Sequence, residues 1–211
     1  MIPTSMDIKY ENNIKEEDEY FNFRKEYQIL YQNIFSIKSM GELVIQSLCH
    51  KFDYIKLNMD KCSYYDLELP LFLMNCLHQA RKDQNETNLL KIPFFQALEI
   101  NFPQVDSEIV LLQYHDLLSR YIQYYMADHN ILKFVIDIYL GDKGIMYPNI
   151  KLGSKFCHLF VKFLDKNKNN LEFIAFDTAI KIKNVLDSLV ECKNFSVSIN
   201  NMVVIIIIFL V

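Results

Sequence analysis

The sequence predicts an all-α chain, built as a solenoid of paired helices, and three observations carry that expectation. The 211 residues include only 4 glycines, where ordinary usage gives about 15. Glycine-rich phosphate loops and the many tight turns of a β-sandwich or barrel are therefore out of reach. Apolar residues recur at steps of three and four, the period of a helix with one buried face. The helical segments also fall into pairs that start near residues 17, 65, 106 and 149, spacings of 48, 41 and 43. That is close to the roughly 40–47 residues of a two-helix repeat.

Residues 1–16 are polar and aperiodic, and a disordered lead-in is expected there. From Glu17 the residues Tyr20, Phe23, Tyr27, Leu30 and Ile34 share one helical face. The acidic run Glu16-Glu17-Asp18-Glu19 sits at that helix's N-terminus, where the macrodipole favours it. Ser39 and Glu42 have capping-box spacing, so a second helix is expected from Ser39 through Leu43, Val44, Leu48, Phe52 and Ile55. The polar stretch 58–63 closes the first pair. A third helix is expected over about 65–80, with Pro70 in its first turn or at a kink, and a fourth over about 87–100, interrupted by Pro93. Ser107 opens a long helix that runs by periodicity to Tyr125, and Asn130 caps a short one ending at Leu140, with Gly141 as its stop. Asn149 starts a seventh and Asn170 an eighth, to about Val190. Residues 17–191 thus read as about four HEAT-like antiparallel helix hairpins with short connections.

Residues 192–211 stand apart as an atypical apolar tail. Met202–Val211 is ten apolar residues long, about half of what a membrane span needs, and too β-branched to favour a helix. It is expected to be read-through or a gene-model artefact, with a packed terminal segment and a membrane anchor as alternatives. Isolated solenoid segments expose apolar faces at both ends, so poor solubility is expected.

The net charge of −4 hides an asymmetry. Residues 1–140 carry 13 Lys+Arg against 20 Asp+Glu, and residues 141–211 carry 9 against 6. The C-terminal part is mildly basic, which permits a polyanion partner. The five cysteines, 49, 62, 76, 157 and 192, are odd in number and dispersed, as expected of free thiols in a reducing compartment.

Chemistry-bearing patterns are sparse. Cys49-His50, Cys76-x-His78 and Cys157-His158 invite a metal reading, but neighbours one or two apart on a helix diverge and cannot share an ion. The carboxylate pairs Asp66/Glu68 and Asp106/Glu108 stand at helix starts, where capping accounts for them. No G-x-S-x-G elbow is present. Neither an enzyme nor a cofactor is expected. Arg120-Tyr121-x-x-Tyr124-Tyr125 has the look of a base-stacking strip, yet Tyr121 and Tyr125 fall on the apolar stripe and are expected in the core. Lys151, Lys155 and Lys162 line one face of the seventh helix, with Lys143 just before it and Lys166 and Lys168 just after. Such a row suits RNA phosphates, and it suits equally a solvated outer face.

Four segments resemble the exportin-T family of tRNA exportins, in the importin-β (karyopherin) superfamily. Asp18-Glu19-Tyr20-Phe21-Asn22-Phe23-Arg24-Lys25 is similar to its acidic lead and F-x-x-Y/F-R-K segment. Leu118-Ser119-Arg120-Tyr121-Ile122-Gln123-Tyr124-Tyr125 resembles its R-Y-x-x-F-F segment. Asp142-Lys143-Gly144-Ile145 resembles its D-x-R-G-L turn, one position shifted in the acid. Lys151-Leu152-Gly153-Ser154-Lys155 with Leu159-Phe160-Val161-Lys162-Phe163 is similar to its K-V-R-x-R…L-F-x-R-F helix. The resemblance implies a slice from the middle of a longer nuclear export receptor that shuttles between nucleus and cytoplasm. It implies tRNA, RanGTP (through the full-length protein) and nuclear pore proteins as partners, with no membrane or DNA. Lys143, Lys151, Lys155 and Lys162 become the candidate tRNA contacts. Gly153 stands where the family tends to be basic, and family arginines appear as Lys143, Lys155 and Lys162, keeping charge without the bidentate fork. The alternative is a HEAT-like protein-interaction scaffold that does not bind RNA.

Overall fold

The computed structural model describes residues 14–80, 87–167 and 175–191. Among them are eight α-helices and no strand: α1 (Ile14–Ser36), α2 (Lys38–Asn58), α3 (Tyr64–Ala80), α4 (Lys91–Leu98), α5 (Glu108–Arg120), α6 (His129–Leu140), α7 (Ile150–Asn167) and α8 (Ala175–Glu191). Asn170, Lys168, Cys192 and the tail 192–211 lie outside the described residues. The odd-numbered helices α1, α3, α5 and α7 pack side by side in chain order as one layer; α2 packs on α4, and α6 on α8, in the other. This is the all-α solenoid of stacked hairpins that the periodicity predicts.

The repeat is visible in which residues bond across it. Arg24–Glu68 and the Gln32 amide on the Cys76 carbonyl each link α1 to α3 at a separation of 44 residues. Gln96 on Asp53 and Lys56 on Glu99 join α4 and its end to α2 at 43. Lys181 on Asp137 joins α8 to α6 at 44. Each repeat thus reaches the next through side chains one repeat length along the chain.

Several boundaries differ from the expected ones, each for a local reason. α1 takes in residues 14–16 of the expected lead-in, and its buried face is turned from the expected one. Arg24, Tyr27, Gln28, Tyr31, Gln32 and Phe35 turn inward, while Phe23 and Leu30 are 39% and 51% exposed. α2 begins at Lys38, so Ser39 lies inside its first turn and caps nothing; Ile37, extended at φ −82° and ψ 112°, is the N-cap and has no capping side chain. The turn is tight enough that a Cβ on Gly41 would lie 2.8 Å from the Phe35 carbonyl oxygen. Leu43, expected inside, is exposed. A capping box that the reading missed opens α3: the Ser63 amide donates to Asp66 Oδ2 at 3.1 Å, and the Asp66 amide donates to Ser63 Oγ at 3.3 Å. Pro70 sits inside that helix, and Pro93 in the first turn of α4, after a 3₁₀ turn at Thr87–Leu90.

The long helix expected to run to Tyr125 stops at Arg120 and continues as a 3₁₀ turn, Ile122–Tyr124. The Tyr125 hydroxyl bonds to the Leu118 carbonyl, one of the last carbonyls of α5, which the helix itself leaves without a partner. α6 is capped by Asp128, not Asn130: one Asp128 carboxylate oxygen accepts from the Asn130 and Ile131 amides at 2.9 and 3.2 Å. Gly141 ends α6 as expected but with extended φ −82° and ψ 179°, not the left-handed form. The chain then folds back, with the Ile145 amide on the Tyr139 carbonyl at 2.8 Å. Gly144 lies against that carbonyl, and a Cβ there would meet the Tyr139 oxygen at 2.1 Å.

The core is aromatic. Phe94 stacks on Tyr121 and Tyr125, with ring centroids 5.3 and 5.6 Å apart, and Tyr139 packs on Phe160 and Phe163 at 5.2 and 5.7 Å. Tyr121 and Tyr125 are buried, as expected, and unavailable for base stacking. Their hydroxyls are pinned to backbone: Tyr121 to the Met74 carbonyl at 2.7 Å, and Tyr139 likewise to the His115 carbonyl at 2.8 Å. His115 is itself fully buried, its Nε2 2.9 Å from the Lys143 carbonyl and its Nδ1 unpartnered. Burial lowers its pKa to about 4.

Two outcomes follow. Gly144→Ala forces backbone apart and should cost about 1–3 kcal/mol, read as a lower denaturation midpoint. His115 is charged in the unfolded chain below about pH 6.5 and neutral in the folded one down to about pH 4. Its contribution is therefore complete above pH 6.5 and is lost as pH falls through that window, by about 3 kcal/mol in all. The measurement is stability against pH for the wild type and His115→Gln. Their difference isolates His115, because burial raises the Glu68 carboxyl, which titrates with the opposite sign. Parallel curves would contradict the assignment.

Candidate functional site

Among the described helices, α7 has the sharpest division between its faces. Leu152, Gly153, Phe156, Cys157, Phe160, Phe163, Leu164 and Asn167 are buried. Lys151, Lys155, His158, Lys162, Asp165 and Lys166 are exposed. Asn149 sets the helix's start: its side-chain oxygen accepts from the Lys151 and Leu152 amides at 3.1 and 3.4 Å, and its amide donates to Glu108 of α5 at 3.0 Å. The start and rotation of α7 are thereby fixed relative to α5. At 1.5 Å per residue, Lys151, Lys155 and Lys162 form a row about 16 Å long.

These three lysines have no carboxylate within ion-pair distance among the described residues, which sets them apart from most of the other cations. Arg24 pairs with Glu68, Lys51 with Asp66, Arg120 with Asp116, Lys133 with Asp177, Lys181 with Asp137 and Lys183 with Asp187. The basic character of the C-terminal part is thus concentrated on one face of α7, while the described cations of α8 are neutralised.

Lys143 is placed differently. It lies on the turn before α7, half-buried, with its ammonium 3.0 Å from Asp106 and 5.6 Å from the centre of the Tyr147 ring. Its carbonyl meets His115. The side chain ties this turn to the approach of α5, and Asp106 already balances its charge. Gly153, where the resembled family tends to be basic, faces that same turn: a Cβ there would lie 3.0 Å from the Ile145 carbonyl. A side chain there would crowd that carbonyl, and the turn would have to give by a few tenths of an ångström to admit it.

The other sequence candidates find structural employment. Asp66 belongs to the α3 cap, and the Lys51 ammonium, with the Ser63 bonds, lowers its pKa to about 2. Glu68 meets Arg24 at 2.6 Å, while Asp106 and Glu108 bond across helices instead of capping their own. Burial raises the Cys76 and Cys157 thiols to about 12 and about 11, far from thiolate chemistry. Among the described residues no three His, Cys, Asp or Glu side chains are placed to hold a metal ion. No described helix is long and apolar enough to cross a membrane.

Beside the lysine row runs a groove of about 510 Å³ between α5 and α7, lined by Leu112, Gln113, Asp116, Ser154, Lys155, His158 and Leu159. The sequence marks His158 only as the neighbour of Cys157 in a rejected metal pattern, and nothing in it marks this groove. The i, i+3, i+4 spacing of Lys151, Lys155, His158 and Lys162 was the available signal for the histidine.

Replacing Lys151, Lys155 and Lys162 together by Gln should change folding stability by no more than about 0.5 kcal/mol, since nothing in the fold depends on them. Lys143→Glu, which sets two carboxylates against each other, should cost about 1 kcal/mol. Chemical denaturation of both variants checks the contrast.

No family model matches the sequence, and no solved structure matches it. Among curated proteins, Exportin-T of Danio rerio is 16% identical over 190 residues, which cover 86% of this chain and 20% of that protein. The chain therefore spans about a fifth of the length of that relative. The likeness, together with the stacked hairpins, describes a karyopherin-like helical chain.

Proposed function

We propose that this chain is a segment of a nuclear export receptor that binds tRNA together with RanGTP and carries it from nucleus to cytoplasm. It acts by binding, without catalysis. The observation that supports this reading most directly is the row Lys151, Lys155 and Lys162, unneutralised and on one face of a rigidly seated helix, in a solenoid similar to Exportin-T. Unpaired ammonium groups at helical spacing attract successive phosphates as point charges, and releasing the counterions condensed on the nucleic acid drives the contact. Such a row recognises shape and charge without reading bases, as suits a folded RNA. Lys143, the fourth candidate, contributes less in this reading because Asp106 competes for it. RanGTP and nuclear pore proteins belong to the reading through the longer protein of which this is a part.

The experiment is tRNA binding by the full-length protein with and without RanGTP. The expected result is binding strengthened by RanGTP, with a salt slope that falls by about 2 units when Lys151, Lys155 and Lys162 are changed to Glu. Binding indifferent to Ran, or an unchanged slope, would count against the proposal. A second reading, a HEAT-like scaffold that binds only proteins, draws on the exposed apolar row Met40, Leu43, Tyr54 and Leu57 of α2. It predicts protein partners and no RNA binding.

A further inference from the structure

We infer that His158 is a fourth phosphate contact of the α7 row, protonated as the RNA binds, so that binding near neutral pH takes up a proton. The inference rests on the RNA-binding reading of that row. Its grounds are position, exposure and the charges around the ring. Steps of four, three and four residues carry Lys151, Lys155, His158 and Lys162 along one face of α7, and all four are exposed. Lys151 and Lys155 are about 6 Å apart along the helix axis, but Lys155 and Lys162 are about 10 Å apart. His158 stands in that gap, about 4.5 Å past Lys155 and about 6 Å before Lys162. With the imidazole counted, cationic groups follow one another at nearly even steps, as the phosphates of a strand do.

No described carboxylate lies within ion-pair distance of the His158 ring. From α5, Asp116 lines the same groove, but Arg120 Nε stands 2.7 Å from its Oδ2 and offsets its charge. Glu108 accepts from Asn149 instead, and His115 is buried against the Lys143 carbonyl. α6 directs Lys133 and Asp137 to α8, and the Ile122–Tyr124 turn holds no charged side chain. On α7 itself the ring's neighbours are Lys151, Lys155 and Lys162, with Asp165 seven residues on and Lys166 reaching the Ser119 carbonyl. Imidazoles as a class change charge between about pH 5 and 8, which lysines do not. A phosphate beside an imidazole favours the protonated ring, which donates an N–H to the phosphate oxygen, the proton coming from solvent. The row therefore contacts four phosphates instead of three, and it tightens on its polyanion as pH falls.

The test is tRNA binding by the full-length protein with RanGTP present, for the wild type, His158→Gln and His158→Lys. It is run at about pH 8 and about pH 6, near the two ends of the range in which imidazole changes charge. Relative to His158→Gln, the wild type should gain about fivefold in affinity on going to the lower pH at about 0.15 M salt, and its salt slope should steepen by about 0.7–0.9. His158→Lys should bind about fivefold more tightly than His158→Gln at both pH values, a rescue that a merely structural imidazole does not give. Calorimetry near neutral pH, in two buffers of different ionisation enthalpy, should count fewer protons taken up by His158→Gln than by the wild type. Parallel pH profiles for the wild type and His158→Gln, with a salt slope that still depends on Lys151, Lys155 and Lys162, overturn the histidine contact and leave the lysine row standing. A His158→Lys variant no tighter than His158→Gln does the same. Failure of tRNA to bind at either pH removes the phosphate reading and this inference with it.

Discussion

Burying a tyrosine ring obliges its hydroxyl to find an acceptor, and in this molecule the acceptors are backbone carbonyls. Tyr121 reaches across to Met74 on α3, Tyr125 back to Leu118 at the end of α5, and Tyr139 from α6 to His115 on α5. The Tyr121 and Tyr139 bonds tie one helix to another at the scale of a single atom pair, where packed leucines alone would leave freedom to slide, and the Tyr125 bond closes the end of α5 itself. The position of α5 follows from these bonds, and the turn before α7 from His115 and Lys143. The lysine row inherits its orientation from that turn and from Asn149. Tyr114 is the exception, a buried hydroxyl with no partner, and its ring is held by Phe102 at 5.2 Å instead.

The electrostatics divide along the same lines. Across most of the solenoid, cations are spent on neighbouring helices, so that charge serves registration between repeats. On α7 the pattern stops, because Asn149 and the aromatic core already hold the helix and no carboxylate is needed to place it. Lys151, Lys155 and Lys162 consequently face no carboxylate among the described residues, while Lys166 reaches the Ser119 carbonyl of α5. Lys143 shows the opposite case, a cation in the same segment whose charge is consumed in closing the turn.

The helix count among the described residues and the face carrying Lys151, Lys155 and Lys162 were legible in the sequence, because a period of 3.6 and a repeat near 43 residues write themselves into the order of apolar residues. The α7 start at Asn149 was legible too, since an Asn before a periodic run has few other uses. What was not legible depended on partners far along the chain. Ser39 has capping-box spacing, yet the sharp extended turn at Ile37 begins the helix one residue earlier. Periodicity carries α5 on to Tyr125, but the core takes that tyrosine's hydroxyl back to cap α5 at Arg120. Lys143 reads as a member of the basic group, and only the fold brings Asp106 beside it. The α5–α7 groove is likewise invisible in one dimension, because its walls come from helices 41 residues apart at their Asn149–Glu108 link.

The bonds between corresponding helices of neighbouring repeats, which span 38 to 47 residues along the chain, have a mechanical consequence. Each of them joins a repeat to its immediate neighbour, the arrangement in which repeats couple in series and strain at one end is passed along from junction to junction. A pull or a twist at one end is shared among the junctions, each yielding a little, and curvature can change without any single contact being torn. A basic row mounted on such a spring can follow the contour of a partner that is itself curved.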